Sequence, residues 1–327
     1  MADLYLRRNR QTMWRRVFGA VSIVFLVSHE AARAQRNQPA GPDLQGTWNA
    51  ATMTPLQRPP EFKDRAAFTP EEAAEYLRTA ADRLRKRLPT EADRLTQADV
   101  DDTYVETEAM PLDRLRTSLI VDPPNGILPP LLPAAQARLA ARPKRSFDDP
   151  EALNLAERCL LGNFAPGGSM ASPPLLPSPV IPAFYQIVQT DAHVLIFAEW
   201  VHDARVIRMN ATHLPSTIRK WLGDSIGRWE GDTLVVDTTN FTEHTRFRGA
   251  SENLHIVERF TRADARTLRY QFTVEDPTTW ARAWTAEYSW PATNEKIYEY
   301  ACHEGNYAME NILRGARLKE ADEAKKR

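Results

Sequence analysis

WLGDSIGRWEGDTLVVDTTNF, from Trp221 to Phe241, is the stretch in which turn residues and strand formers are most densely paired. Ile226 to Glu230 reads as a strand rising to a tight turn at Gly231-Asp232, and Thr233 to Thr238 as its return. Gly and Asp suit the positive-φ positions that such a turn requires. Successive strand side chains point to opposite faces, so Leu234 and Val236 face one way while Thr233, Val235 and Asp237 face the other. The same unit recurs through the C-terminal half. Candidate strands cover 184–190, 193–200, 205–209, 226–230, 232–238, 255–262, 267–274, 282–290 and 296–302, with turn signals at Asp191-Ala192, His202-Asp203, Gly231-Asp232, Asp264-Ala265 and Thr293-Asn294. Together with a short strand at 44–50 they number enough to close an antiparallel up-and-down meander into a β-barrel. A curled sheet or β-sandwich is the alternative.

With 327 residues, 43% of them hydrophobic and 26% charged, the chain can bury a full core as one large domain or two small ones. A net charge of -1 carries no polyanion signature, which argues against nucleic acid as a partner. Twenty-four prolines stand against thirteen glycines, and many of the prolines fall before residue 183, marking that half as loop-rich and wrapped.

Arg7, Arg8, Arg10, Arg15 and Arg16 precede an apolar run from Val17 to Val27, and Ala32-Arg33-Ala34 supplies small residues at the cleavage spacing. The pattern predicts a signal peptide over 1–34 and an exported, periplasmic or extracellular protein. The apolar run is shorter than the roughly 20 residues of a membrane span, so no span is expected after cleavage. Arg15-Arg16-Val17-Phe18 loosely resembles a twin-arginine export signal, and Met13 is an alternative start. In an oxidising compartment Cys159 and Cys302 have only each other, which predicts a disulfide. Two cysteines also exclude a four-thiolate zinc site.

Along the mature chain, 35–43 reads as a linker, 44–318 as a single domain with a helical, proline-rich insertion at 52–182, and 319–327 as a charged, solvated tail. Gly46-Thr47-Trp48 resembles the first strand of lipocalin-like barrels. Thr69-Pro70-Glu71-Glu72 starts a helix that Pro89 stops. Its last turn carries Arg83, Arg85, Lys86 and Arg87, read as a solvated helix end or as an anion site. A second helix is expected from Pro133 to Ala141, a third from Asp149 to Cys159, and an ordered belt over 162–182 anchored by Phe164, Leu175, Leu176, Val180 and Ile181.

Strict up-and-down order sorts the joints between two ends. Those at 202–203, 230–231, 264–265 and 293–294 are tight and share one end. The connections 210–225, 240–254, 276–281 and the exit after Cys302 share the other, together with the short joint at 191–192, and barrels commonly take ligands at a mouth that carries long loops. Those loops hold the candidate site. His303 beside Glu304 offers an acid-base pair, and His213 is a second catalytic candidate. Arg246 and Arg248 could clamp an anionic or oxygen-rich ligand, or serve structural carboxylates such as Glu252 and Glu258. Trp221 and Trp280 could stack on a sugar-like or aromatic ring, or lie in the core. Asn240 and Asp276 complete the expected ligand contacts, while His202, Asp203 and Arg205 form either a secondary acid-base group or a local ion pair. A metal held by His213, His255, His303 and a carboxylate lacks any recognisable ligand spacing. No nucleophile-elbow, phosphate-loop or dinucleotide pattern is present, so no cofactor is expected.

Arg116-Thr117-Ser118-Leu119-Ile120-Val121-Asp122-Pro123-Pro124-Asn125-Gly126, Glu157-Arg158-Cys159-Leu160, the opening hairpin and Cys302-His303-Glu304-Gly305-Asn306 resemble a group of exported bacterial proteins of uncharacterised activity. The resemblance implies secretion and one domain spanning both halves; it assigns no catalytic residue. The resulting expectation is an exported small-molecule enzyme without a redox cofactor, a lyase, isomerase or hydrolase. A non-catalytic periplasmic carrier and an envelope interaction protein are the alternatives.

Overall fold

The computed structural model describes residues 41–62, 64–85, 111–142, 147–161, 172–177, 183–245 and 247–326. The expected signal peptide, most of the linker, Lys86 and Arg87, the side chains of Arg83 and Arg85, Arg246, and Phe164, Val180 and Ile181 of the expected belt lie outside them.

Ten strands form one sheet: β1 (Gly46–Asn49), β2 (Ile120–Asp122), β3 (Phe184–Gln189), β4 (His193–Ala198), β5 (Ala204–Met209), β6 (Asp224–Glu230), β7 (Thr233–Thr239), β8 (His255–Asp264), β9 (Thr267–Glu275) and β10 (Trp284–Thr293). The barrel closes through β1, whose Thr47 and Trp48 pair with Thr293 and Ala292 of β10 while the strand also pairs along β3. Nine strands make the ring, and β2 pairs beside Thr285 and Ala286 of β10. The expected barrel is therefore present, and the opening hairpin lies in it as read, with Gly227 opposite Val236 and Glu230 opposite Thr233.

An odd ring cannot alternate strand direction all the way round. At least one neighbouring pair must be parallel, and that pair is β5 with β6, in register Arg208↔Ile226 and Met209↔Gly227. Parallel neighbours need a return connection rather than a tight turn, and 210–223 supplies it. This revises the sorting of joints. The turns after β3, β6 and β8 and the exit from β10 share the tight end, whereas 199–203, 240–254 and 276–283 share the open end with both ends of the N-terminal insertion. Residues 210–223 run back between the two ends, and 296–302 is irregular rather than a strand. The expected third helix is only a 3₁₀ turn at Pro150–Ala152, because Asn154 and Glu157 close a reciprocal side-chain turn and Cys159 has φ 53, which a helix cannot continue through.

Helix α1 (Pro70–Arg85) starts with a capping box, Thr69 Oγ1 accepting from Glu72 N and Glu72 Oε2 from Thr69 N. Helix α2 (Pro133–Ala140) follows β2, and helix α3 (Tyr307–Ala324) takes in most of the expected charged tail, with no buried residue. Among the described residues no helix is long and apolar enough to cross a membrane. Cys159 and Cys302 are joined as expected, 143 residues apart in sequence.

Inward positions are filled. Trp48, Tyr185, Phe260, Tyr270, Phe272, Trp284, Tyr288 and Trp290 are all fully buried, with Tyr185 stacked on Trp290 at 4.9 Å and Tyr270 against it at 4.8 Å. Burial of each such side chain contributes roughly 1.5–3 kcal/mol. From the N-terminal half, Leu175 enters this interior, its N–H donating to Tyr270 Oη (2.9 Å) and its carbonyl accepting from Tyr288 Oη (2.8 Å).

At the parallel seam a Cβ on Gly227 would lie 2.8 Å from both Ile207 Cγ2 and Met209 Sδ. Gly227→Val is expected to lower unfolding free energy by about 1–3 kcal/mol, read as a lower urea midpoint at unchanged slope. Reduction of Cys159–Cys302 is expected to cost about 4–5 kcal/mol in the chain-entropy model, measured in the same titration with and without dithiothreitol.

Candidate functional site

The return segment 210–223 passes over the outer wall of the barrel, and there it meets the outward positions of three strands. Asp237 faces out because it pairs with Ile226 on one side and Val257 on the other, between the inward residues Val236 and Thr238. His255, at the start of β8, faces the same way. His213 Nε2 lies 2.9 Å and His255 Nε2 3.1 Å from the same oxygen, Asp237 Oδ1. Behind them His213 Nδ1 is 3.2 Å from Asp224 Oδ2, and His255 Nδ1 is 3.6 Å from Glu275 Oε2. One carboxylate is thus shared by two imidazoles, each backed by a second carboxylate.

Asp224 anchors the arrangement. It is 1% exposed and accepts from Leu214 N (2.9 Å), Arg208 Nη2 (2.9 Å) and Lys220 Nζ (3.3 Å) besides facing His213. Asn240, in the left-handed region at φ 58, donates to Leu214 O at 2.9 Å and holds the segment from the other side. The shared group is more open: His213 and Asp237 are each 26% exposed and His255 33%. Burial resists ionisation of Asp237, but the hydrogen bonds from His255 and His213 outweigh it and hold the carboxyl below its ordinary range. Asp224 is likewise lowered, its burial outweighed by Leu214 N–H, His213, Arg208 and Lys220. His255 is raised, chiefly by its hydrogen bond to Asp237, against the opposing effect of burial. The depressed carboxyl and the raised imidazole favour each other's charged form, as an ion pair does.

The other expected site residues fall elsewhere. His303 and Glu304 are exposed on the turn before α3, and no hydrogen bond among the described residues links them to His213. His213 and His255 do meet, without His303, and among the described residues no three such side chains form a metal site. Asp276 is a buried clamp for the open end. It accepts from Ser251 N and Oγ, Thr278 N and Oγ1, and Thr279 Oγ1 at 2.7–2.9 Å. Trp280 is core, against Phe247 and Trp284. Trp221 is half-buried beside His244, 6.2 Å between centroids. Arg248 is half-buried at φ 44, and burial lowers its guanidinium pKa.

His202 Nε2 accepts from Tyr300 N at 2.5 Å, and burial pushes Asp203 up to about 6. Arg205 does not pair with either of them. Strand alternation turns it into the barrel, where it bonds Glu258 at 2.5 and 3.1 Å. Toward the expected ligand mouth Phe247 and Trp280 are buried against each other, and Leu175 is buried against Tyr270 and Tyr288. Among the described residues a depression of about 510 Å³ lies between α2 and the 240–254 connection, lined by Arg138, Arg142, His244, Ser251 and Glu252. Asp224, Asp237 and His255 were not among the expected catalytic or binding residues, although strand alternation already placed Asp237 on the face opposite Leu234 and Val236.

No protein-family model matches the chain, and no curated protein matches it. Among solved structures the chain is similar to a point mutant of the fluorescent protein UnaG, at 16% identity and a TM-score of 0.22, over 35% of this chain and 73% of that one.

The shifts set a pH window. Asp237 and Asp224 stabilise the fold above the unfolded carboxyl value of about 3.9, an effect lost as pH falls through their lower folded values. His255 stabilises below its unfolded value of about 6.5, and that effect is lost as pH rises through its higher folded value. The cluster's contribution is therefore greatest between about pH 4 and 6.5. Asp237→Asn is expected to flatten both limbs of the stability profile and to move the His255 titration, followed by NMR, to lower pH.

Proposed function

We propose that the protein is an exported enzyme acting on small oxygenated organic molecules by acid-base chemistry, as a lyase, isomerase or hydrolase without a redox cofactor. Its centre in this reading is His213, Asp237 and His255 rather than His303 and Glu304. The supporting observation is the single carboxylate oxygen shared by two imidazoles at 2.9 and 3.1 Å, with all three side chains still reachable from solvent.

Proton transfer requires a group that exchanges its proton near the working pH and a partner that keeps it oriented. Asp237, held ionised, is the orienting partner. His255 and His213 are the proton carriers, and the buried Asp224 fixes the far side of the His213 ring. A substrate would approach the outer wall, beside the return segment. The inward positions among the described residues carry large buried side chains, so this reading places the site on the outer wall rather than in the lumen. Export is supported by the Cys159–Cys302 disulfide, which an oxidising compartment would maintain.

The test is turnover by the mature chain of a panel of carboxylic esters, hydroxy acids and glycosides, with products read by NMR. His213→Ala is expected to lower kcat/KM by about 10²- to 10⁴-fold while the thermal midpoint moves by only a few degrees, and His303→Ala is expected to leave it unchanged. Full activity in His213→Ala would remove this centre. Saturable binding without turnover would favour the carrier reading instead.

A further inference from the structure

The barrel interior holds a peptide. Residues 172–176 are buried, and Leu175 is gripped by both of its backbone polar groups. The two tyrosines that grip it are not equivalent. Tyr270 Oη donates its proton to Glu258 Oε1 at 2.7 Å, so toward Leu175 N–H its oxygen can act only as an acceptor. Tyr288 Oη donates to the Leu175 carbonyl. Glu258 is itself oriented by two bonds from Arg205, and both side chains of that pair are almost wholly buried. Arg205 Nε has no hydrogen-bond partner among the described residues.

A core that served packing alone would gain little from this, since a buried ion pair replaced by well-fitted apolar residues is often neutral or stabilising. The pair instead fixes Tyr270 as an acceptor, and with Tyr288 as donor beside it the two hydroxyls meet the N–H and C=O of a single residue, in a core that includes Phe260, Phe272, Trp284 and Trp290. From this geometry we propose that the lumen is a receptor for apolar peptide backbone, which the chain's own 172–177 segment occupies in cis. An apolar peptide or N-acylated amino acid with a branched aliphatic side chain takes the same place when the segment withdraws. The tethered segment has the advantage of a high local concentration, so an outside ligand competes poorly until the segment's own hold is weakened. This site is separate from the outer-wall cluster and does not depend on it.

The experiment uses the mature chain and the probe N-acetyl-Leu-Leu-amide, with tryptophan fluorescence and calorimetry as readouts. Leu175→Gly/Leu176→Gly is expected to bind the probe at least tenfold more tightly than the unsubstituted chain. Adding Tyr270→Phe to that variant is expected to undo most of the gain. A variant with native near-ultraviolet circular dichroism but no gain in binding overturns the proposal, as does a gain indifferent to Tyr270→Phe. Should the glycine variant fail to fold, hydrogen exchange on the unsubstituted chain decides. The Leu175 amide is expected to exchange at least tenfold faster than the Tyr270 amide, because the segment leaves an intact barrel. Exchange of both at one rate would show that the segment leaves only when the barrel unfolds, and would overturn the proposal.

Discussion

Strand parity governs this molecule. A closed ring of nine strands cannot be antiparallel throughout, so one seam must be parallel, and a parallel seam cannot be closed by a hairpin. The cost is a long segment returning along the barrel wall, with backbone groups that must be satisfied outside the ladder. The chain meets this demand with side chains from the end of β5, the start of β6 and the residue just past β7. Asp224 takes the Leu214 N–H, Asn240 takes the Leu214 carbonyl, and Arg208 reaches Thr212 O. His213 lies in the middle of that segment, so the connection that parity requires is also what carries an imidazole to Asp237.

The interior follows a different logic. A small barrel is filled by its own side chains, and here aromatic residues of β8, β9 and β10 pack in the core together with Leu175 and Leu176 from the N-terminal half. That half is therefore part of the barrel and not a cover laid over it. The disulfide reinforces the same connection, joining the region just before the inserted loop to the coil that follows β10. The Asp276 clamp ties the 240–254 connection to 276–283 at the open end.

Much of this was legible in the sequence because strands report themselves through period-two alternation. The hairpin read at 226–230 and 232–238 about Gly231-Asp232, and the strands read at 267–274 and at 44–50 with Trp48, coincide with strands of the barrel. Closure by nine strands was not legible, because Lys296 to Cys302 has strand-like composition yet forms no ladder, and counting it as a strand made an alternating ring possible. The parallel seam between β5 and β6, invisible in an alternating count, reversed the sorting of the joints around β3 to β5. The same limit hid the site. His303 and Glu304 are neighbours in sequence and stand apart in solvent, whereas His213, Asp237 and His255 lie far apart along the chain and meet only through strand pairing and the return segment. Arg205 shows the converse, a residue close to His202-Asp203 in sequence that alternation turns to the other side of the wall.

Whether the outer cluster does more than secure the return segment can be argued from where burial falls. Asp224 alone collects the Leu214 amide, Arg208, Lys220 and one face of His213 while almost fully sealed from water, which suffices to anchor a connection. Asp237 and His255 add little to that anchoring. Partly exposed ion pairs contribute only about 0–1 kcal/mol, and neither residue bonds to the backbone of the segment. Yet they are the residues whose protonation equilibria move in opposite directions, the carboxyl downward and the imidazole upward, on the side that solvent can reach. That opposition is what mutual hydrogen bonding between a carboxylate and an imidazole produces, and its place on the solvent-facing side is the feature on which the acid-base proposal rests.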